Sequence, residues 1–165
     1  MKKVMFICTG NICRSAMAEG MFKKILKDKG IENVEVCSAG IYAETGAYAT
    51  DEAIEAAKEL YDVDILNHRA TNIRDSKIEK MDIILCATYM HKLTITSIYP
   101  QLANKVFTMK EYAYGKDISD KDIKDPWGYT LQVYRNCAKE IYEVLINIAN
   151  KIQNKCFKKY WLFKL

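Results

Sequence analysis

The apolar run Val4-Met5-Phe6-Ile7 leads without a break into Cys8-Thr9-Gly10-Asn11-Ile12-Cys13-Arg14-Ser15, and a helix-forming stretch follows. A buried strand that feeds a helix through a short loop containing Gly and Asn is the opening unit of a parallel α/β sheet. At such a junction the loop N–H groups turn inward and the helix adds the positive end of its dipole. The loop is therefore suited to a tetrahedral oxyanion. Arg14 supplies a planar fork for two oxygens of that anion. The same positive field favours the thiolate of Cys8, and a thiolate beneath a bound phosphate is a nucleophile for phosphoryl transfer.

Other readings of the loop fare less well. A nucleotide-cradling loop needs a Lys after its second Gly, and none follows Gly10 in that spacing. A thioredoxin-like redox site needs Cys-x-x-Cys, and Cys8 and Cys13 are too far apart for it. With His68 and His91 the only histidines and no Cys-x-x-Cys pair, a zinc site is not expected, nor is any cofactor.

A chain of 165 residues that is 50% hydrophobic can bury one real core. It is read as one domain over 1–152 with a basic and aromatic tail over 153–165. A net charge of +4 lacks the clustered excess of a nucleic-acid binder, so no nucleic-acid partner is expected. No apolar stretch approaches the ~20 residues of a transmembrane helix. The first residues do not form an export signal, because Gly10, Asn11 and Arg14 interrupt the apolar run. A cytoplasmic protein with reduced cysteines is expected. The tail from Lys155 to Leu165 mixes cations with aromatics, as membrane-surface segments do, or else extends the last helix onto the body.

The spacing of apolar residues predicts strands at Val4–Ile7, Val34–Cys37, Ile83–Cys86 and Val106–Thr108. Helices are predicted over Ala16–Lys29, ended by Gly30, and over Asp51–Tyr61, capped by Thr50. Two more are predicted over Met90–Ile98, stopped by Pro100, and over Thr130–Ile152. The apolar stripe of the last helix reads as Val133, Ala138, Ile141, Leu145 and Ile148. Alternating strands and helices imply a parallel sheet covered on both faces, with ligands at the carboxyl ends of the strands.

The run Cys8 to Ser15 resembles the phosphate loop of the low-molecular-weight protein tyrosine phosphatases. The resemblance continues through Met17-Ala18-Glu19, Ser38-Ala39-Gly40, His68-Arg69, Asp82 to Cys86, Val106 to Tyr112 and Asp125-Pro126-Trp127-Gly128. It covers about Lys2 to Ile152 and looks most like a branch from Gram-positive bacteria that also includes protein arginine phosphatases. It implies a single α/β domain with a four-stranded parallel sheet in the order 2-1-3-4. It implies phosphate binding by residues Thr9 to Ser15, bracing of the loop by Asn11, Ser15, Ser38 and His68, and Ser15 as a hydrogen-bond donor to Cys8. By themselves Asp125 and Pro126 read equally as a surface turn or as a stiffened loop presenting an acid. The resemblance favours Asp125 as general acid, with Asp117, Asp120 and Asp122 as solvated loop charges. Ile12, Tyr42 and Trp127 are candidate walls of a cleft for a flat ring, with Tyr48 a weaker one. Loop curvature brings Cys13 toward Cys8, so either a reversible disulfide or plain packing is expected of it.

The function so implied is hydrolysis of protein phosphotyrosine through a phosphocysteine, by a monomer or weak dimer. A protein arginine phosphatase on the same scaffold is the first rival. The matching position of Ile12 carries Thr in those enzymes. An arsenate reductase needs two further cysteines after the third strand, where Cys86 stands alone. A phosphate-binding or redox-sensing module without turnover would not need Cys8, Arg14 and Asp125 together.

Overall fold

A computed structural model describes residues 1–162, with side chains over 1–154. Four strands, β1 (Lys2–Cys8), β2 (Val34–Gly40), β3 (Ile83–Cys86) and β4 (Val106–Thr108), form one parallel sheet in the order β2-β1-β3-β4. Cys8 pairs with Gly40, Ile7 with Cys86, and Cys86 with Thr108. This register brings the carboxyl ends of all four strands to one edge of the domain.

Alternation along β1 decides what packs on each face. Val4, Phe6 and Cys8 join the larger core with α1 (Arg14–Asp28), α2 (Asp51–Tyr61), α4 (Met109–Tyr114) and α5 (Leu131–Leu162). Met5 and Ile7 point the other way, toward Ile95 of α3 (Tyr89–Ile98) and the short 3-10 turns that carry Ile73, Ile78 and Leu102. The central strand is buried from Val4 onward. Each fully buried Ile or Phe contributes roughly 1.5–3 kcal/mol of transfer free energy, so polar substitution along Val4–Ile7 is costly.

Helix ends follow local chemistry. Thr50 accepts the N–H of Ala53 at 3.3 Å and opens α2. Past Lys29 the chain turns through Gly30 at φ 62°, a left-handed conformation that costs glycine little. α4 was not expected from the apolar pattern. Thr108 and Glu111 form a reciprocal capping box there, and this Thr-x-x-Glu signature lies in the sequence. β2 runs three residues beyond Cys37, because its Ser38-Ala39-Gly40 end keeps pairing with β1. α3 ends at Ile98 as expected: Tyr99, the residue before Pro100, leaves helical geometry at φ −125° while its N–H still bonds to Ile95 O, and Pro100 begins a 3-10 turn over Pro100–Lys105.

The stripe of α5 requires one correction. Val133 faces solvent, and Tyr134 takes the core position beside Ala138, Ile141, Leu145 and Ile148. The backbone of α5 continues to Leu162, beyond the expected end at Ile152. The tail's side chains, and the membrane-surface reading attached to them, lie outside the described residues. Among the described residues no helix is long and apolar enough to cross a membrane.

Candidate active site

The loop between β1 and α1 is shaped by its neighbours. Asn11 adopts φ 55°, which turns the chain sharply inward. Gly40 permits that turn. A Cβ there would sit 2.6 Å from Thr9 O and 2.8 Å from the Asn11 nitrogen. Backbone N–H groups outside the loop hold its rim, from Ile41 to Cys8 O, from Tyr42 to Thr9 O and from Thr50 to Ile12 O. Cys13, at the N-cap of α1, makes no side-chain capping bond, and the first turn carries no acid. The first N–H groups of a helix have no intrahelical partner, so they are available to an anion.

Cys8 lies at the bottom of this loop, almost fully buried. Its Sγ is 2.9 Å from Ser15 Oγ and accepts the N–H of Asn11 at 3.3 Å. Ser15 Oγ itself accepts from Asn11 Nδ2 at 2.8 Å, which leaves its own proton for the sulfur. Two donors are thus aimed at the sulfur that would attack phosphorus. Asn11 is saturated. Its amide nitrogen also donates to Ser38 Oγ at 2.8 Å, and its Oδ1 accepts from the backbone of Thr71 at 2.9 Å. His68 Nε2 donates to Asn11 O at 2.7 Å. Asn11, Ser15, Ser38 and His68 therefore meet around one turn of chain. Glu19, which accepts from Ser38, ends the network and was not read as part of the site. Its place one helical turn after Ser15 was the available signal.

Arg14 is buried beside the sulfur. Nη1 donates to Ile123 O at 3.0 Å, and Nη2 meets Asp125 Oδ2 at 3.0 Å. Arg14 Nε is buried with no hydrogen-bond partner among the described residues. A guanidinium N–H without a partner in so polar a setting suits an anionic ligand. Asp125 is half exposed, and its other oxygen accepts the N–H of Trp127 at 3.2 Å. A pocket of about 260 Å³ is lined by Cys8, Thr9, Gly10, Ile12, Cys13, Arg14, Asp125 and Trp127.

Not every expected residue joins it. Tyr42 is 76% exposed and does not line the pocket. Tyr48 lies beneath the Arg69 guanidinium, 3.5 Å from ring centroid to carbon, in a cation–π contact. Asp120 and Asp122 are exposed, as expected of solvated loop charges, and each also holds a partner. Asp120 pairs with Lys110 at 2.7 Å, and Asp122 accepts the N–H of Tyr89 at 2.7 Å.

Cys13 turns toward the body, with Sγ 3.3 Å from Tyr134 Oη and 3.6 Å from Thr50 Oγ1. Burial pushes its thiol above the usual range. A further contact, between His91 Nε2 and Thr9 Oγ1 at 2.8 Å, has no local signature, because 82 residues separate the partners. Burial first, and then the Arg14 charge, lower the His91 pKa to about 4, so the ring is neutral near pH 7.

A buried sulfur with two donors, a guanidinium fork beside it and a carboxylate across the same pocket define a cysteine-dependent phosphatase. The chain belongs to the low molecular weight phosphotyrosine protein phosphatase family, whose model matches residues 3–158. It is 38% identical to the protein-arginine-phosphatase of Bacillus subtilis (strain 168), covering 91% of this chain and 96% of that one. It is 34% identical to the low molecular weight protein-tyrosine-phosphatase PtpB of Staphylococcus epidermidis, over 90% and 98%. Among solved structures, a low molecular weight protein tyrosine phosphatase from T. tengcongensis superposes with TM-score 0.84 at 38% identity, over 92% of this chain and 99% of that one.

Proposed function

We propose that the chain hydrolyses protein phosphotyrosine through a phosphocysteine intermediate. The loop amides and Arg14 hold the phosphoryl oxygens and stabilise the charge that develops on them. Cys8 Sγ forms a bond to phosphorus as the bond from phosphorus to the tyrosine oxygen breaks. Asp125 gives its proton to that departing oxygen. Water then attacks the phosphocysteine and loses a proton to Asp125. Ser15 eases the departure of the Cys8 thiolate, and phosphate leaves. The observation that carries this reading is the single pocket holding Cys8, Arg14 and Asp125 together.

Support for tyrosine comes from Ile12. It lines the same pocket as the exposed Trp127, so the pocket has two apolar side chains in its wall. A flat ring packs well against such side chains. An arginine group would lose its water there without a side-chain acceptor from Ile12. The competing reading rests on the relatives named protein-arginine-phosphatase. Phosphotyrosine peptides are expected to exceed phosphoarginine peptides in kcat/KM, and Ile12→Thr to move the ratio toward phosphoarginine. Side-by-side kinetics decide it, and a parent that prefers phosphoarginine overturns the assignment.

We further propose that Cys13 captures oxidised Cys8. Peroxide converts the Cys8 thiolate to a sulfenic acid, and the Cys13 thiol displaces its oxygen as water to leave a disulfide. The raised Cys13 pKa and its bonds to Tyr134 and Thr50 slow this step, since those bonds must break for Cys13 to attack. Mild peroxide is expected to inactivate the parent and a thiol to restore it, with less recovery in Cys13→Ser. Equal recovery in both removes the role.

A further inference from the structure

The first turn of α3 touches both halves of the site. Thr88 caps it, accepting the N–H of His91 at 3.2 Å. His91 reaches Thr9 of the phosphate loop at 2.8 Å, and its Nδ1 is buried without a partner among the described residues. The next residue, Lys92, reaches Glu111 Oε2 at 2.8 Å. Glu111, 2% exposed in its side chain, also takes Lys121 on Oε1 at 3.2 Å and the N–H of Thr108 at 3.0 Å.

These bonds converge on the segment before Asp125. Asp120 is held by Lys110, which also pairs with Glu140 at 2.6 Å. Lys121 is held by Glu111, and Asp122 by the N–H of Tyr89. The N–H of Ile123 bonds to Ala87 O at 2.9 Å, and its carbonyl takes Arg14. Four consecutive residues are thus fixed by partners elsewhere in the fold, and Asp125 follows two positions later. A buried carboxylate shared by two ammonium groups resists displacement, because each charge it gives up leaves another uncompensated.

We propose that the first turn of α3 is a two-armed positioning device, in which His91 sets the phosphate loop through Thr9 and Lys92 sets the acid loop through Glu111. It rests on the reading of Cys8 as nucleophile and Asp125 as acid. Neither His91 nor Lys92 touches the reacting atoms. Each acts through the residue it holds, so the arms separate in kinetics: one governs anion binding, the other protonation of the leaving group.

The test measures two quantities with a series of aryl phosphates: the inhibition constant of inorganic phosphate, and the dependence of kcat/KM on leaving-group pKa. Loss of one hydrogen bond from the loop in His91→Leu is expected to raise the phosphate constant about tenfold, with the leaving-group dependence of the parent retained. The same substitution made on Thr9→Val is expected to add nothing. Lys92→Leu is expected to retain the phosphate constant while poor leaving groups lose about tenfold more than good ones. Lys92→Arg is expected to recover most of that loss. If Lys92→Leu does not fold, Lys121→Met cuts the same arm at its more exposed end. Two variants that move the same quantity, or that move neither, overturn the proposal. Inactivity of Cys8→Ser and a steepened dependence in Asp125→Asn test the underlying mechanism separately, so a failure of the device is distinguishable from a failure of the mechanism.

Discussion

Cys8→Ser is expected to lose turnover of p-nitrophenyl phosphate to the limit of detection while still binding phosphate or vanadate. The two properties reside in different atoms. Turnover needs the Cys8 sulfur as attacking atom, and Ser15 and the Asn11 N–H hold that sulfur in place at the bottom of the loop. Anion binding uses the loop N–H groups and Arg14, which the substitution leaves in place. A serine hydroxyl in the same position stays protonated and attacks phosphorus poorly. Arg14→Lys is the companion experiment. An ammonium keeps the charge but cannot bond Ile123 O, Asp125 and an incoming anion in one plane. Losing one such preorganised donor typically costs about 10²–10³-fold in kcat. Steady-state kinetics and titration calorimetry report the two effects. Substantial hydrolysis by Cys8→Ser would end the phosphocysteine mechanism.

The second large effect belongs to Asp125→Asn. A tyrosine oxygen with an unperturbed pKa near ~10 leaves poorly as an anion, so protonation as the bond breaks matters greatly. General acid catalysis contributes typically ~10²–10⁴-fold, and an activated aryl phosphate needs little of it. The asparagine variant is therefore expected to lose that factor on phosphotyrosine peptides and far less on p-nitrophenyl phosphate. An asparagine keeps an oxygen for Trp127 N–H but turns an amide N–H2 toward Arg14 in place of the paired carboxylate oxygen, so it is the contrast between leaving groups, not the rate on one substrate, that reports the proton. An equal loss across a leaving-group series would show that another group is the acid.

Which parts of this site were legible in the chain depends on how far apart the partners lie. Cys8 and Arg14 announce themselves because strand, loop and helix are contiguous, and β3 and β4 are bounded by short apolar runs. α4 carries a capping signature, but six residues directly after a strand show too little periodicity to reveal a helix. At the start of the α5 stripe, Val133 and Tyr134 are adjacent and hydrophobicity alone does not choose between them, yet it is Tyr134 that is buried. Tyr42 was a reasonable wall for a cleft by residue type, yet the loop carries its ring outward. His91, Glu111 and Lys121 act through contacts between distant segments, and no local pattern encodes such pairings.

The cysteines discriminate among themselves as reagents. Burial pushes Cys37 up to about 11 and Cys137 up to about 12, and it raises Cys13 and the wholly buried Cys86 as well. Among the described residues only the Cys8 sulfur opens onto the pocket while receiving a hydroxyl and a backbone N–H. A thiol-directed electrophile small enough to pass Ile12 and Trp127 therefore finds one accessible, hydrogen-bonded sulfur among the five described cysteines. Carrying a negative charge steers it further, because the loop that recognises substrate also recognises the reagent. The fold thus provides an address for covalent probes: among the five described cysteines an anionic alkylating agent marks the folded protein at Cys8, and unfolding erases that selectivity.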